Sequence, residues 1–201
     1  QARYGLDAAR TYVAGMSSGG AMAVILGATY PDLYAALGVH SGLEYQAATN
    51  LFDSYSATAS GGPSPVTQGD AAVAAMGTHK RSVPVIVFHG TSDSIVASVN
   101  GDQVLKQWAR TDDVASDGVA DGNVDAAAAS TSQVSEGGRA CTQKLVGDSH
   151  SSASAPTLEF WSIQGLDHAW SGGDSRGSYT DPTGPDATNH FWAFFSSHSL
   201  R

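Results

Sequence analysis

The feature that most constrains this chain is the run Thr11-Tyr12-Val13-Ala14-Gly15-Met16-Ser17-Ser18-Gly19-Gly20-Ala21. A short β-prone stretch passes through glycine-flanked serines into an Ala-rich segment, expected to be helical over residues 21–30 and stopped by Pro31. A strand that becomes a helix within two or three residues brings backbone against backbone, and glycines at 15 and 19 avoid a collision of side chains. Such a turn exposes the hydroxyl of Ser17 and points the N–H of Ser18 toward the place where negative charge on an oxygen would develop. G-x-S-x-G in a strand–turn–helix context predicts an activated serine.

An activated serine needs a base, and the base needs an orienting carboxylate; on parallel sheets the three follow in the order Ser, acid, His. Val83-Pro84-Val85-Ile86-Val87-Phe88-His89-Gly90 is continuous, apolar and β-branched, as suits a strand covered on both faces. Asp93 follows it in the turn Thr91-Ser92-Asp93, and His168 follows the next strong strand in Gly165-Leu166-Asp167-His168-Ala169-Trp170. Both fall where sites assemble in such sheets, at the C-terminal ends of strands. The catalytic set predicted from order and placement is Ser17, Asp93 and His168, with Ser18 N–H as an oxyanion donor. Asp167 ranks second to Asp93, because side chains adjacent in sequence point apart. His89 is expected to shape the Asp93 turn by a local hydrogen bond. His40 and Trp170 are candidate substrate-binding residues, with Tyr45, Trp161 and Tyr179 as further candidate contacts; packing ranks ahead of substrate contact for His40 and for Trp161.

Strands are expected over residues 11–15, 37–41, 83–90, 141–146 and 157–164, the last two forming a hairpin around a Ser-rich loop. Helices are expected over 70–79, 100–110 and 187–198, the last capped by Asp186. Residues 4–10 read as a helix end and turn, 43–67 as an Ala/Ser/Gly/Pro-rich loop, and 112–138 as a mobile, low-complexity insertion in a single domain spanning 1–201. Alternation of strand and helix gives an α/β class with four core strands.

Ten Lys and Arg against 19 Asp and Glu give a net charge of −9, which argues against nucleic acid and anionic membranes as partners. No apolar run has the length of a membrane span. The single cysteine, Cys141, excludes an intrachain disulfide and a cysteine-rich zinc site, and no His or carboxylate spacing indicates a metal or other cofactor. The chain opens at Gln1-Ala2-Arg3 with neither Met nor a signal-peptide pattern, as expected of a mature or trimmed product.

Residues 12–23, 83–91 with Asp93, Gly165-Leu166 with 168–173, and the tail 177–187 together resemble the poly(3-hydroxybutyrate) depolymerase esterase family of α/β-hydrolases. The resemblance is weakest over 112–138. It implies a secreted serine esterase acting on polyhydroxyalkanoates or short-chain esters, or on feruloyl or acetyl groups of plant cell walls, with Ser17, Asp93 and His168 as the triad and Trp170 beside the acyl pocket. Members of that family carry several strands before the serine turn, including a His-Gly loop that supplies a second oxyanion donor. The chain resembles the C-terminal half to two-thirds of the fold, an α/β-hydrolase-like sheet lacking its N-terminal strands. The edge Thr11-Tyr12-Val13-Ala14-Gly15 is then open to pairing in a homo-oligomer. A catalytically impaired fragment acting as an interaction module is the alternative from another class.

Overall fold

A computed structural model describes residues 5–151 and 156–200. Tyr4, at the start of the expected helix end, and residues 152–155 of the Ser-rich loop lie outside them. Among the described residues, thirteen α-helices and β-strands follow in chain order. They are β1 (Tyr12–Met16), α1 (Ser18–Thr29), β2 (Ala36–His40), α2 (Leu51–Ser60), α3 (Pro65–Met76), β3 (Val85–Gly90), α4 (Val99–Asp117), β4 (Ser130–Glu136), β5 (Arg139–Val146), β6 (Leu158–Ile163), β7 (Trp170–Ser171), β8 (Thr180–Asp181) and α5 (Ala187–Ser196).

Six strands form one sheet in the order β1-β2-β3-β6-β5-β4. The first four are parallel, with Met16 opposite His40, His40 opposite Phe88, and Phe88 opposite Trp161. The last two run antiparallel. The four parallel strands match the expected core, and β1 ends the sheet among the described residues. Side chains alternate between faces with period two. Leu37, Val39, Val85, Val87, Leu158 and Phe160 join Leu105 and Trp108 of α4 on one face. Ala36, Ile86, Phe88, Trp161 and Ile163 join Phe191, Phe194 and Phe195 of α5 on the other. Gly38 makes the second contact possible, since a Cβ there would lie 2.5 Å from the Phe191 ring. Asp186 caps α5 as expected, its carboxylate accepting the N–H of Asn189 at 3.0 Å.

Two stretches differ from the sequence expectation. Residues 43–67, read as loop, contain α2 and the start of α3. Asn50 caps α2 by accepting the N–H of Asp53 at 3.0 Å, and Pro65 sits at the first position of α3, where its missing N–H has no helical partner to lose. These start signals outweigh the serines that make the segments read as loop. Residues 112–138, read as an insertion, hold the end of α4, a 3-10 turn at Ala126–Ala128 and β4. Asp112 is wholly buried there and accepts the N–H of Val83 at 2.9 Å. β4 pairs with β5 from Ser130↔Leu145 to Glu136↔Arg139. Its polar, mostly exposed Ser130, Thr131, Ser132 and Gln133 belong to an edge strand whose ladder, not whose side chains, fixes it. Cys141 is buried and unpaired in β5.

Glu44, in the loop after β2, is 3% exposed and neither carboxylate oxygen has a hydrogen-bond partner. Burial pushes its pKa up to about 8 from an ordinary value of 4.5. The folded chain therefore holds this proton over a range in which the unfolded chain has lost it, so stability falls as pH rises from about 4.5 to about 8. Glu44→Gln removes the titration: its melting temperature is expected to match that of the parent chain near pH 4 and to exceed it increasingly up to pH 8. Parallel melting curves across that range, with no growing gap, would show that the carboxyl finds a partner or water.

Candidate active site

Ser17 occupies the turn between β1 and α1 at φ 58° and ψ −124°, a backbone region that side-chain-bearing residues rarely adopt. Strain of this kind costs roughly 1–3 kcal/mol and persists only where surrounding contacts impose it. Here the Ser17 N–H donates to His40 O at 2.9 Å, and Ala21 N–H donates to Ser17 O at 3.0 Å. The two flanking glycines are not equivalent. A Cβ on Gly15 would lie 2.3 Å from the carbonyl of Gly19, whereas one on Gly19 would meet nothing within 4 Å. The collision expected on both sides of the serine exists at Gly15 only. Ser18 opens α1, so its N–H is one of those at a helix start that lack an intrahelical acceptor.

Asp93 lies in the turn after β3. Its Oδ1 accepts the N–H of Ile95 at 3.0 Å and of Val96 at 2.8 Å. The Nδ1 of His168 lies 2.9 Å from its Oδ2 and 3.1 Å from its Oδ1. Burial by itself would raise the pKa of this carboxyl, but the His168 hydrogen bond, the Val96 and Ile95 N–H groups and the Ser41 hydroxyl together hold it below the usual carboxylate value. His89 closes the same turn: its Nε2 donates to Val96 O at 2.9 Å, as the sequence suggests, and burial lowers its pKa.

Asp167 does not orient the imidazole. Its Oδ1 accepts from Ser94 N–H at 2.9 Å, Ser94 Oγ at 2.8 Å and His168 N–H at 2.8 Å, stitching the two site loops together. Ser17 and His168 line one open cavity of about 340 Å³ with Met16, Ile95 and Tyr179. Tyr179, exposed at the rim, stands edge-on to the His168 ring at 6.1 Å.

The two residues expected to bind substrate are placed differently. His40 is wholly buried and is not among the residues lining that cavity; it lies against the His168 loop, with its ring stacked 5.1 Å from that of Trp170. Trp170 is half-buried against His40 and Phe191, with its Nε1 donating to Thr188 Oγ1 at 3.1 Å. Trp161 and Tyr45 are both buried in core clusters. Of the candidate aromatics, Tyr179 borders the cavity. Among the described residues, Asp117 at the C-terminal end of α4, Asp121 and His150, all exposed, bring ligand atoms within 4.8 Å of one another.

Residues 1–134 match the family model described as Esterase PHB depolymerase. The chain belongs to that family. Poly(3-hydroxyalkanoate) depolymerase C of Paucimonas lemoignei is 31% identical over 110 residues, covering 54% of this chain and 27% of that protein. Acetylxylan esterase A of Emericella nidulans is 36% identical over 115 residues, covering 53% and 38%. Among solved structures, the acetyl xylan esterase from Aspergillus awamori superposes with a TM-score of 0.69 at 21% identity, over 97% of this chain and 62% of that one. The PHB depolymerase from Penicillium funiculosum gives a TM-score of 0.54 at 20% identity, over 90% and 47%. These likenesses place the sheet and helices in the α/β-hydrolase-type fold of the family. The aligned region amounts to between a quarter and two-fifths of the length of the two sequence relatives.

The glycine asymmetry is testable. Gly15→Ala is expected to lose reaction of Ser17 with a fluorophosphonate probe, while Gly19→Ala keeps it. Equal labelling of both variants, read by mass spectrometry, would mean that the turn can open to admit a methyl group.

Proposed function

We propose that this chain carries the triad of a serine esterase that hydrolyses polyester or short-chain esters, with Ser17 as nucleophile, His168 as base and Asp93 as the orienting carboxylate. The observation that carries this reading is the 2.9 Å contact between His168 Nδ1 and Asp93 Oδ2, with His168 and the strained Ser17 facing one cavity. Committing Nδ1–H to Asp93 leaves Nε2 as the basic nitrogen of the ring. In the first half-reaction Ser17 Oγ attacks the ester carbonyl carbon as its proton passes to Nε2, and the Ser18 N–H meets the oxyanion. The proton then goes to the departing alkoxide, leaving an acyl-serine and a free alcohol. Water repeats the sequence on the acyl-enzyme, releasing the acid and restoring Ser17. Asp93 stays ionised throughout and stabilises the imidazolium.

Met16, Ile95 and Tyr179 line the open cavity of about 340 Å³ beside the serine, room enough for a short acyl group. Within the same chemistry, the acetylxylan esterases among the relatives support acetyl esters of plant cell walls as the second reading. The reading includes secretion, supported by the likeness to a poly(3-hydroxyalkanoate) depolymerase and to acetylxylan esterases. The reading also includes pairing of the β1 edge with a second copy, supported by the position of β1 at the end of the sheet. Sedimentation that returns only a monomer at micromolar concentration removes that element.

Ser17→Ala is expected to reduce p-nitrophenyl acetate hydrolysis to the uncatalysed background. Asp93→Asn is expected to lower kcat by roughly 10⁴-fold through the wrong imidazole tautomer. A folded Ser17→Ala chain that turns over like its parent would sink the assignment. Relative rates on hydroxybutyrate oligomers and acetylated xylan decide between the two substrate classes.

A further inference from the structure

His40 touches the machinery on both sides without reaching the cavity. Its carbonyl accepts the N–H of Ser17 at 2.9 Å, so it holds the backbone of the strained serine. Its Nε2 accepts the N–H of Ser171 at 3.2 Å, three residues beyond His168. Its Nδ1 lies 3.2 Å from Ser41 Oγ, and its ring stacks on Trp170 at 5.1 Å. An imidazole nitrogen that accepts an N–H carries no proton, so the ring proton sits on Nδ1 and is donated to Ser41. Ser41 is itself wholly buried and held at φ 48°, with its N–H on Phe88 O at 2.8 Å. A non-glycine residue in that conformation is a further point of strain imposed by surrounding contacts.

We propose that His40 is a positioning residue, a neutral imidazole strut that fixes the His168 loop relative to the Ser17 turn so that base and nucleophile keep their separation. The proposal rests on the roles given above to Ser17, Asp93 and His168. Two further observations agree with it. Burial, assisted by the neighbouring imidazole of His89, pulls the His40 pKa down to about 3, so the Nε2 acceptor persists at any pH where ester hydrolysis by a histidine base is possible. The Ser41 hydroxyl, oriented by His40, is among the groups that keep Asp93 ionised. His40 thus meets the nucleophile through its backbone carbonyl and the base through the loop that carries it.

His40→Leu removes the strut at similar volume, and His40→Gln restores an acceptor near the Nε2 position. With active sites counted by fluorophosphonate labelling, His40→Leu is expected to lower kcat on p-nitrophenyl acetate by about 10²-fold, the scale of a misplacement near 1 Å, with KM unchanged. His40→Gln is expected to recover most of that loss. A general loss of stability would instead lower the number of labelled sites and leave the turnover of each unchanged. A second readout needs no turnover: the Ser171 amide, whose N–H the His40 ring accepts, should exchange its hydrogen faster by NMR in His40→Leu and slow again in His40→Gln. Should leucine prevent folding, His40→Asn, polar but too short to reach Ser171, takes its place with the same expected results. Unchanged kcat per site, or unchanged Ser171 exchange in the folded variant, overturns the strut. Turnover that survives Ser17→Ala overturns the esterase assignment instead, and the Ser171 exchange still judges the strut.

Discussion

The hydrogen bond from Ser17 N–H to His40 O, at 2.9 Å, is the contact on which the rest of the site depends. It carries the β1–β2 pairing, which aligns Met16 with His40, beyond the end of β1 and into the turn. A serine at φ 58° has no local reason to stay there. The ladder holds it from one side, and α1 holds it from the other through Ala21 N–H on Ser17 O. The close approach of Gly15 to the Gly19 carbonyl is the geometric consequence, and the absence of a Cβ at residue 15 is what permits it.

Parallel pairing then does the assembly. Four strands running the same way deliver their C-terminal ends to one edge of the sheet, so Ser17, Ser41, Asp93 and His168 meet although up to 151 residues separate them. Burial at that edge has opposite consequences for different groups. Asp93 is desolvated but receives enough donors to remain ionised, whereas His40 is desolvated and stays neutral. Glu44, desolvated without a donor among the described residues, is left as a cost to stability that grows from about pH 4.5 to about 8. Similar burial thus gives an anion, a neutral ring and an unpartnered acid, according to the hydrogen bonds each group has.

The parts legible in the sequence were those written locally. The turn at residues 15–19, the β-branched run before His89 and the Asp186 cap are all contiguous signals, and each appears where its residues place it. Less legible were α2 and the first turn of α3, whose Ser, Gly and Pro surroundings mimic a loop while Asn50 and Pro65 start helices. β4 was hidden for a related reason, since its side chains carry almost no apolar alternation and its place is set by backbone bonds to β5. For His40 the sequence left open packing and substrate contact. Its burial agrees with packing, but its partner Ser171 is 131 residues away and nothing local reports it.

What the sequence by itself determined is the chemistry available and its order along the chain: a serine in a strand–turn–helix junction, then an acid and a histidine, each after an apolar strand. These follow from steric limits and periodicities that act over a few residues. What only the tertiary structure decided is which of Asp93 and Asp167 faces the imidazole, which aromatic borders the cavity, and that His40 lies under the site instead of in it. Those outcomes depend on how strands distant in sequence are set side by side and how their end loops pack over one another. They are fixed by long-range hydrogen bonds and buried contacts that no short stretch of sequence contains.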